Sequence, residues 1–333
     1  MPSRQQAKRK LRAIQNRKEQ NLQQNQSSSQ PAWPNPYDAE IIHLSYQSLG
    51  RLRQNYKPYQ TIHHTLTAKL QHELKSGQFK RIALNPHRHT LIRGFDGSTI
   101  AYRVPSSALN LNHQLYKSIA LLPRAQNHQH HGVNRGSHDT RYYCIWCPYS
   151  KEPCVSAHYV EDSISAKEFM DATQSLWDSM SNYLKEVFPS IYKEFTKCSL
   201  PNDLKGLSGA FMGCAINIGS EGTPVQTEPH RDVKERAFGV SCLCPFGEFE
   251  GGALILWELK LIIELAPGDL FFFPDSLIHH SNEEVKGVRH SIVAFTQQSV
   301  FAYWRKICQY KDRKLQHLRA KTHAFQKLKR NQK

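Results

Sequence analysis

The chain has 333 residues, 39% of them hydrophobic, and a formal net charge of +16. That length carries one elaborated domain with a sizeable core, and no apolar run of about 18 residues is present to span a membrane. Tandem repeats, a Walker phosphate loop and a GxGxxG fingerprint are missing too, which sets aside solenoids, P-loop NTPases and Rossmann dehydrogenases.

Residues 1–30 hold seven Lys/Arg and one Glu, then run into a Gln/Asn/Ser-rich stretch with no apolar face. They read as a disordered basic arm, closed by the Pro31 to Pro36 linker, so that 1–36 forms one unit. No secretory leader is read there, and disulfides are not expected. Residues 37–160 read as an N-terminal helical and mixed subdomain. Within it, 37–76 is mostly helical, Phe79 to Val104 forms short strands around a Gly94-Phe95-Asp96-Gly97 turn, and 124–140 is a His-rich polar loop. His128, His130 and His131 in that loop are possible metal ligands, although a polar loop explains them as well. Cys144-x-x-Cys147, Cys154 and His158 have a spacing compatible with one tetrahedral zinc site. Tyr142, Tyr143 and Trp146 are interleaved with them, as base-stacking surfaces or as the core of a loop-rich subdomain in which Cys is a small hydrophobe. Cys198, Cys214, Cys242, Cys244 and Cys308 show no framework pattern.

Residues 161–304 open on a capping box, Ser165-Ala-Lys-Glu168, that predicts a helix to about Val187. Phe169, Leu176, Met180, Tyr183 and Leu184 give it one apolar face. Short apolar runs follow: Phe238 to Cys244, then a Gly- and Glu-containing turn ending in Gly251-Gly252, then Ala253 to Trp257 and Leu259 to Leu265. After the turn Pro267-Gly268-Asp269 come Leu270 to Phe273 and, later, Ser291 to Thr296. Many short strands separated by turn residues predict an α+β protein with a small antiparallel barrel or jelly-roll core and flanking helices, not a βαβ sheet.

Residues 305–333 hold eleven Lys/Arg and one Asp, with Ile307, Leu315, Leu318, Phe325 and Leu328 spaced for a basic amphipathic helix. The two arms sum to +6 and +10, while 31–304 has 26 basic and 26 acidic residues and is formally neutral. Charge confined to flanking arms suits a sequence-independent grip on phosphates, so nucleic acid is the expected partner and the nucleus the expected compartment. Nuclear-import signals, solvated helices or a membrane surface are the other uses of such arms.

The chemistry concentrates in His230-Arg231-Asp232, His280 and Arg289-His290-Ser291. Iron(II) that must also bind a chelating co-substrate and O₂ takes three protein ligands on one face, two His and one carboxylate. On a strand, i and i+2 share a side, so His230 and Asp232 meet there, and a distant strand supplies the third ligand from His280 or its neighbour His279. Arg289 and Ser291 are also two apart, offering a guanidinium fork beside a hydroxyl to the far carboxylate of 2-oxoglutarate. The chain holds 18 His, so an isolated H-x-D carries little by itself; its weight comes from the later residues and the strand-turn-strand setting.

The ordered set Asn217-Ile-Gly, His230-Arg-Asp, Gly251-Gly-Ala-Leu-Ile-Leu-Trp-Glu-Leu, Pro267-Gly-Asp, His280-Ser-Asn, Arg289-His-Ser and Phe295-Thr-Gln resembles fungal 2-oxoglutarate/Fe(II) oxygenase-like domains. Those are in turn similar to the ten-eleven-translocation and base-J-binding-protein (TET/JBP) class. The resemblance implies a double-stranded β-helix with Fe(II), 2-oxoglutarate and O₂. It further implies iron on His230, Asp232 and His280, the co-substrate on Arg289 and Ser291, and Asn217 beside it. The cysteine-rich zinc region of animal TET enzymes has no counterpart of that extent. Oxidation of 5-methylcytosine in DNA is the activity the resemblance suggests. A protein hydroxylase of the same superfamily and a non-catalytic nucleic-acid-binding module are the alternatives.

Overall fold

A computed structural model of the chain describes residues 36–56, 64–123, 138–147, 152–201 and 204–309. The first basic arm, the His-rich segment through residue 137, and the second arm beyond residue 309 lie outside these residues.

In chain order the strands are β1 (Glu40–His43), β2 (Lys80–Ile82), β3 (Thr90–Arg93), β4 (Thr99–Val104), β5 (Asp139–Trp146), β6 (Cys154–Val155) and β7 (Gly213–Ile218). They continue with β8 (Ser241–Gly251), β9 (Leu254–Leu256), β10 (Leu261–Ile263), β11 (Leu270–Phe273), β12 (His280–Asn282) and β13 (Val285–Phe295). The helices are α1 (Leu49–Gln54), α2 (His64–Lys75), α3 (Asn112–Ser118), α4 (Ala157–Glu161), α5 (Ser163–Ala172), α6 (Gln174–Val187) and α7 (Pro189–Lys197), followed by one over 298–309. None of the helices among the described residues is long and apolar enough to cross a membrane.

A nine-stranded sheet runs in the order β1-β3-β4-β11-β8-β13-β7-β5-β6, and a four-stranded sheet in the order β12-β9-β10-β2. Period-2 alternation sends each strand of the large sheet into two cores. Ile92, Leu243, Phe271 and Phe273 pack inward with Leu254, Leu256, Leu261 and Ile263 of the small sheet. Their chain neighbours Leu91, Cys242, Cys244, Leu270 and Phe272 face outward, against Phe169, Trp177, Met180 and Leu184 of the helices. The fold is therefore the expected α+β jelly roll, with a helical layer on its large sheet.

Several local expectations change. The Gly- and Glu-containing stretch after Cys244 is not a turn: β8 continues to Gly251 and pairs with β13 over Val285–Ala294. Gly247 allows this, because it takes φ +118 opposite Arg289, where a Cβ would come within 2.4 Å of the Val288 carbonyl oxygen. Ser165 does not cap a helix either. Helix α5 already begins at Ser163, and the Asp162 carboxylate that precedes it accepts from Tyr143 Oη at 2.9 Å in place of a backbone N–H. The expected single helix is broken at Thr173, whose hydroxyl donates to Phe169 O at 2.7 Å. Finally, a boundary at 160 does not separate two cores. Strands β1, β3, β4 and β5 lie in the same sheet as β7, β8, β11 and β13, and residues 35–333 form one compact unit. The segment expected to be mostly helical opens with β1, which pairs in parallel with β3.

Candidate metal and co-substrate site

The site lies between the sheets, with His280 on β12 of the small sheet and Asn217, Arg289 and Ser291 on β7 and β13 of the large one. His230-Arg231-Asp232 is not on a regular strand as expected. His230 forms an isolated antiparallel bridge with His280, the two N–H···O bonds measuring 3.0 and 2.8 Å. The chain then turns, and the Asp232 N–H donates to Asp275 O at 3.2 Å. That bridge and that bond, not strand alternation, bring the imidazoles and the carboxylate together.

His230 Nε2 lies 4.0 Å from Asp232 Oδ1, His280 Nε2 lies 3.6 Å from Asp232 Oδ2, and the two imidazole centroids are 4.3 Å apart. Each Nδ1 is engaged by a main-chain oxygen, His230 with Glu228 O at 2.8 Å and His280 with Ile278 O at 3.0 Å. A carbonyl only accepts, so both Nδ1 atoms carry the proton and both Nε2 lone pairs face Asp232. This is the donor set of a three-ligand divalent metal site, and among the described residues these three form the one such group. Burial disfavours the His280 imidazolium, but the Asp232 carboxylate more than offsets that and the pKa rises. His279, the alternative third ligand, turns the other way: Glu258 accepts from its backbone N–H at 2.7 Å and pairs with its Nδ1 at 2.5 Å.

Opposite the triad, Arg289 is 1% exposed, and its Nη1 donates to Val225 O at 2.7 Å. Burial alone lowers its pKa to about 10, and among the described residues no carboxylate pairs with it. A guanidinium desolvated without a counter-ion is costly, and it faces the cavity that the triad lines. An incoming carboxylate fits that vacancy in the charge balance. Beside it, Asn217 Nδ2 donates to Ser291 Oγ at 3.0 Å and Thr140 Oγ1 donates to Asn217 Oδ1 at 2.9 Å. Thr140, Asn217 and Ser291 are register partners across β5, β7 and β13, so one inward row is polar where the neighbouring rows are apolar.

Residues 143–306 match the family model described as the oxygenase domain of the 2OGFeDO superfamily, Tet_JBP. The chain carries a TET/JBP-type oxygenase domain. It is accordingly a dioxygenase of the 2-oxoglutarate/Fe(II) superfamily. Among solved structures, it is similar to NgTET1 in complex with 5mC DNA at 17% identity, over 72% of this chain and 92% of that one, with a TM-score of 0.48. A 2OG-Fe(II) oxygenase family oxidoreductase from Burkholderia pseudomallei is similar at 13% identity, over 77% and 93% of the two chains, with a TM-score of 0.37. A viral collagen prolyl hydroxylase from Paramecium bursaria Chlorella virus-1, in its 2OG complex, is similar at 11% identity over 60% and 97%, with a TM-score of 0.30. No curated protein sequence matches the chain.

The oxygenase domain has a second chamber of about 410 Å³, against about 80 Å³ for the inner pocket, and both share Tyr142, Asp232, Glu235 and Phe295 as walls. One wall is a row of rings: Tyr142 stacks on Trp146 at 6.4 Å and on His158 at 6.0 Å, with interplanar angles of 25° and 29°. The zinc reading of Cys144, Cys147, Cys154 and His158 is not supported by this arrangement. Cys144 packs in the core against Ala215 and Phe295, Cys154 is exposed and opposite Trp146, and His158 Nδ1 accepts from the Tyr142 N–H at 3.1 Å. Alternation along β5 is the reason, since i and i+3 fall on opposite faces.

Among the residues that line the inner pocket, sequence reasoning missed His138, Val225, Thr227, Glu235 and Asp275. Asp275 is buried within the bridge that aligns the triad, and its pKa is pushed up to about 7 by burial first and the Asp232 charge second. An acid following Phe271-Phe272-Phe273-Pro274, five residues before His280, was the available signal.

Proposed function

We propose that the protein is a 2-oxoglutarate/Fe(II) dioxygenase that oxidises 5-methylcytosine in DNA. His230, Asp232 and His280 hold the iron, and Arg289, Ser291 and Asn217 hold 2-oxoglutarate. The observation that carries this reading is the convergence of two Nε2 lone pairs and one carboxylate on a pocket whose far wall is a buried Arg289 with no carboxylate partner among the described residues. Bound there, Fe(II) with 2-oxoglutarate and O₂ supplies the oxidant for a substrate C–H bond, releasing succinate and CO₂.

The chain's own groups do the rest. Glu228 O and Ile278 O hold the Nδ1 protons, so Nε2 is the nitrogen that each ring presents to the metal. Val225 O holds the Arg289 fork, and the Thr140–Asn217–Ser291 row sets the hydroxyl that meets the same carboxylate. For the substrate, the larger chamber next to Asp232 with its wall of stacked rings suits a flat heterocycle. A duplex base reaches it by flipping out of the stack, and the basic arms over 1–30 and 305–333 supply phosphate contacts. Nuclear localisation follows from that substrate.

The test is Fe(II) and 2-oxoglutarate binding without oxygen, then succinate release in air on methylated and unmethylated DNA, for wild type and His230→Ala/Asp232→Ala. Succinate stimulated by methylated DNA and lost in the variant supports the reading. Stimulation by peptides alone would replace it with protein hydroxylation, and DNA binding without metal binding would leave a non-catalytic module.

A further inference from the structure

Residues 31–304 are formally neutral, yet Arg51, Arg53, Arg231 and Arg236 lie over aromatic rings, Arg231 at the larger chamber. Arg53 on α1 sits 5.1 Å over the Phe238 ring, and Arg236 sits 5.8 Å from the same ring. Arg231, between His230 and Asp232, lies 5.9 Å over Tyr56, whose ring is edge-on to Phe238 at 6.3 Å. Two residues back on α1, on the other flank of the buried Leu52, Arg51 lies 4.8 Å over Phe95. Phe238 and Phe95 are 40% and 51% exposed, although they are among the largest apolar side chains of the molecule.

Glu194 supplies the carboxylate on the Arg236 side of this cluster. Glu194 takes both Arg236, at 2.8 Å, and Arg305, at 3.1 Å. Neither Arg51 nor Arg53 forms an ion pair with a carboxylate among the described residues, Glu194 acting on Arg53 only through its charge, and Asp96 beside Phe95 accepts from the Ser98 N–H and hydroxyl at 3.0 and 2.6 Å. Burial first, and the Arg236 charge second, hold the Arg53 guanidinium below its ordinary value. Guanidinium groups laid on aromatic faces are weakly hydrated and already ordered, and Arg51 is held further by donating from Nη1 to Tyr46 O at 2.5 Å. They match phosphate forks, and the exposed rings between them offer stacking faces. Arg231 also lines the larger chamber, so the patch is continuous with the mouth of the site.

We infer that Arg51, Arg53, Arg231 and Phe238 form a DNA-docking surface that holds the phosphodiester backbone beside the target base. The inference rests on the nucleic-acid reading above but does not depend on which base is oxidised. A protein partner would bring carboxylates to the same arginines. The exposed rings between the cations, and the continuity with an aromatic-walled chamber, favour a nucleic acid.

The test uses the full chain and a fluorescent unmethylated duplex, so methyl oxidation plays no part in it. Anisotropy titrations in increasing salt compare wild type with Arg51→Gln/Arg53→Gln, whose folding is checked by thermal melting. The expected result is affinity lower on the order of tenfold at fixed salt, and a log–log salt slope shallower by about 2, at about 0.9 per phosphate released. Arg51→Lys/Arg53→Lys restores the slope, and Phe238→Ala weakens binding without changing it. In the wild type, bound duplex protects Arg51 and Arg53 from phenylglyoxal, a measurement that needs no variant. A folded Gln variant with the wild-type slope, no protection by duplex, or protection by polyglutamate in place of DNA would overturn the inference. Loss of methyl-stimulated succinate with this binding behaviour intact would count against the proposed reaction and leave the surface standing.

Discussion

Thr140 and Asn217 face each other across β5 and β7, and the Thr140 hydroxyl donates to Asn217 Oδ1 at 2.9 Å. That bond fixes the amide orientation, so Nδ2 must face Ser291, whose Oγ accepts it at 3.0 Å. The Ser291 proton is then left to donate into the pocket. Thr140 is thus a positioning residue two strands away from Arg289.

Thr140→Val keeps the shape and removes the donor, freeing the amide to flip. The expected cost is about 1 kcal/mol, or roughly fivefold in apparent 2-oxoglutarate affinity. Fe(II) affinity stays as it was. Half-saturating 2-oxoglutarate measured beside Fe(II) binding decides it, and parallel loss of both would mean that Thr140 supports the whole fold.

Arg289→Ala removes the buried cation itself. Truncating one partner of a desolvated charge pair costs about 2 kcal/mol or more, so the 2-oxoglutarate requirement rises roughly thirtyfold or more while iron still binds. Because burial lowers the free Arg289 to about 10, the carboxylate relieves an existing penalty, and 2-oxoglutarate raises the melting temperature of wild type but not of the variant. An equal melting shift in both would remove Arg289 from its role.

What the sequence disclosed and what it hid have the same physical origin. The triad and Arg289-x-Ser291 were legible because their residue types are constrained by chemistry, and β11 matched residue for residue because Leu270 to Phe273 is a bounded apolar run. The continuation of β8 was hidden, since Gly247 and Gly251 read as turn residues while their positive φ values serve a long paired strand. Thr140 was invisible: a buried threonine acquires meaning only from Asn217 opposite it, and register across strands 77 positions apart leaves no local trace. Cys144 and His158 misled for the complementary reason, because spacing says nothing of which face each side chain takes.

Arg103 and Asp269 join β4 to the end of the turn before β11. Their atoms are 3.4 Å apart at 2% and 0% side-chain exposure. Arg103 also donates to Arg88 O at 3.0 Å, and Asp269 accepts from the Ser106 and Ala266 N–H groups at 2.7 and 3.0 Å. Arg103→Met leaves a buried carboxylate alone and is expected to cost about 3–5 kcal/mol in urea unfolding. Adding Asp269→Asn removes the orphaned charge and recovers part of that loss. A double variant less stable than the single one would show that Asp269 acts through its backbone contacts and not through the pair.

His290 lies between Arg289 and Ser291 but on the opposite face of β13, packed against Tyr116 and Phe246 at centroid distances of 5.7 and 5.2 Å. The Gly219 N–H donates to its Nδ1 at 3.1 Å, so that nitrogen is an acceptor and the ring is neutral. Burial lowers its pKa from 6.5 to about 4. The folded pKa is the lower one, so below about 6.5 the unfolded chain takes up a proton that the native state refuses, and native stability falls as pH drops toward 4. The slope approaches 1.4 kcal/mol per pH unit, for a total of about 3 kcal/mol across the window. His290→Gln keeps an acceptor for Gly219 and cannot titrate. Its stability relative to wild type should therefore be constant above pH 6.5 and should improve steadily below it, whatever the carboxylates common to both proteins contribute. Urea midpoints for the two proteins at pH 7, 6, 5 and 4.5 would settle the matter, and a constant difference throughout would mean that His290 is protonated in the native state.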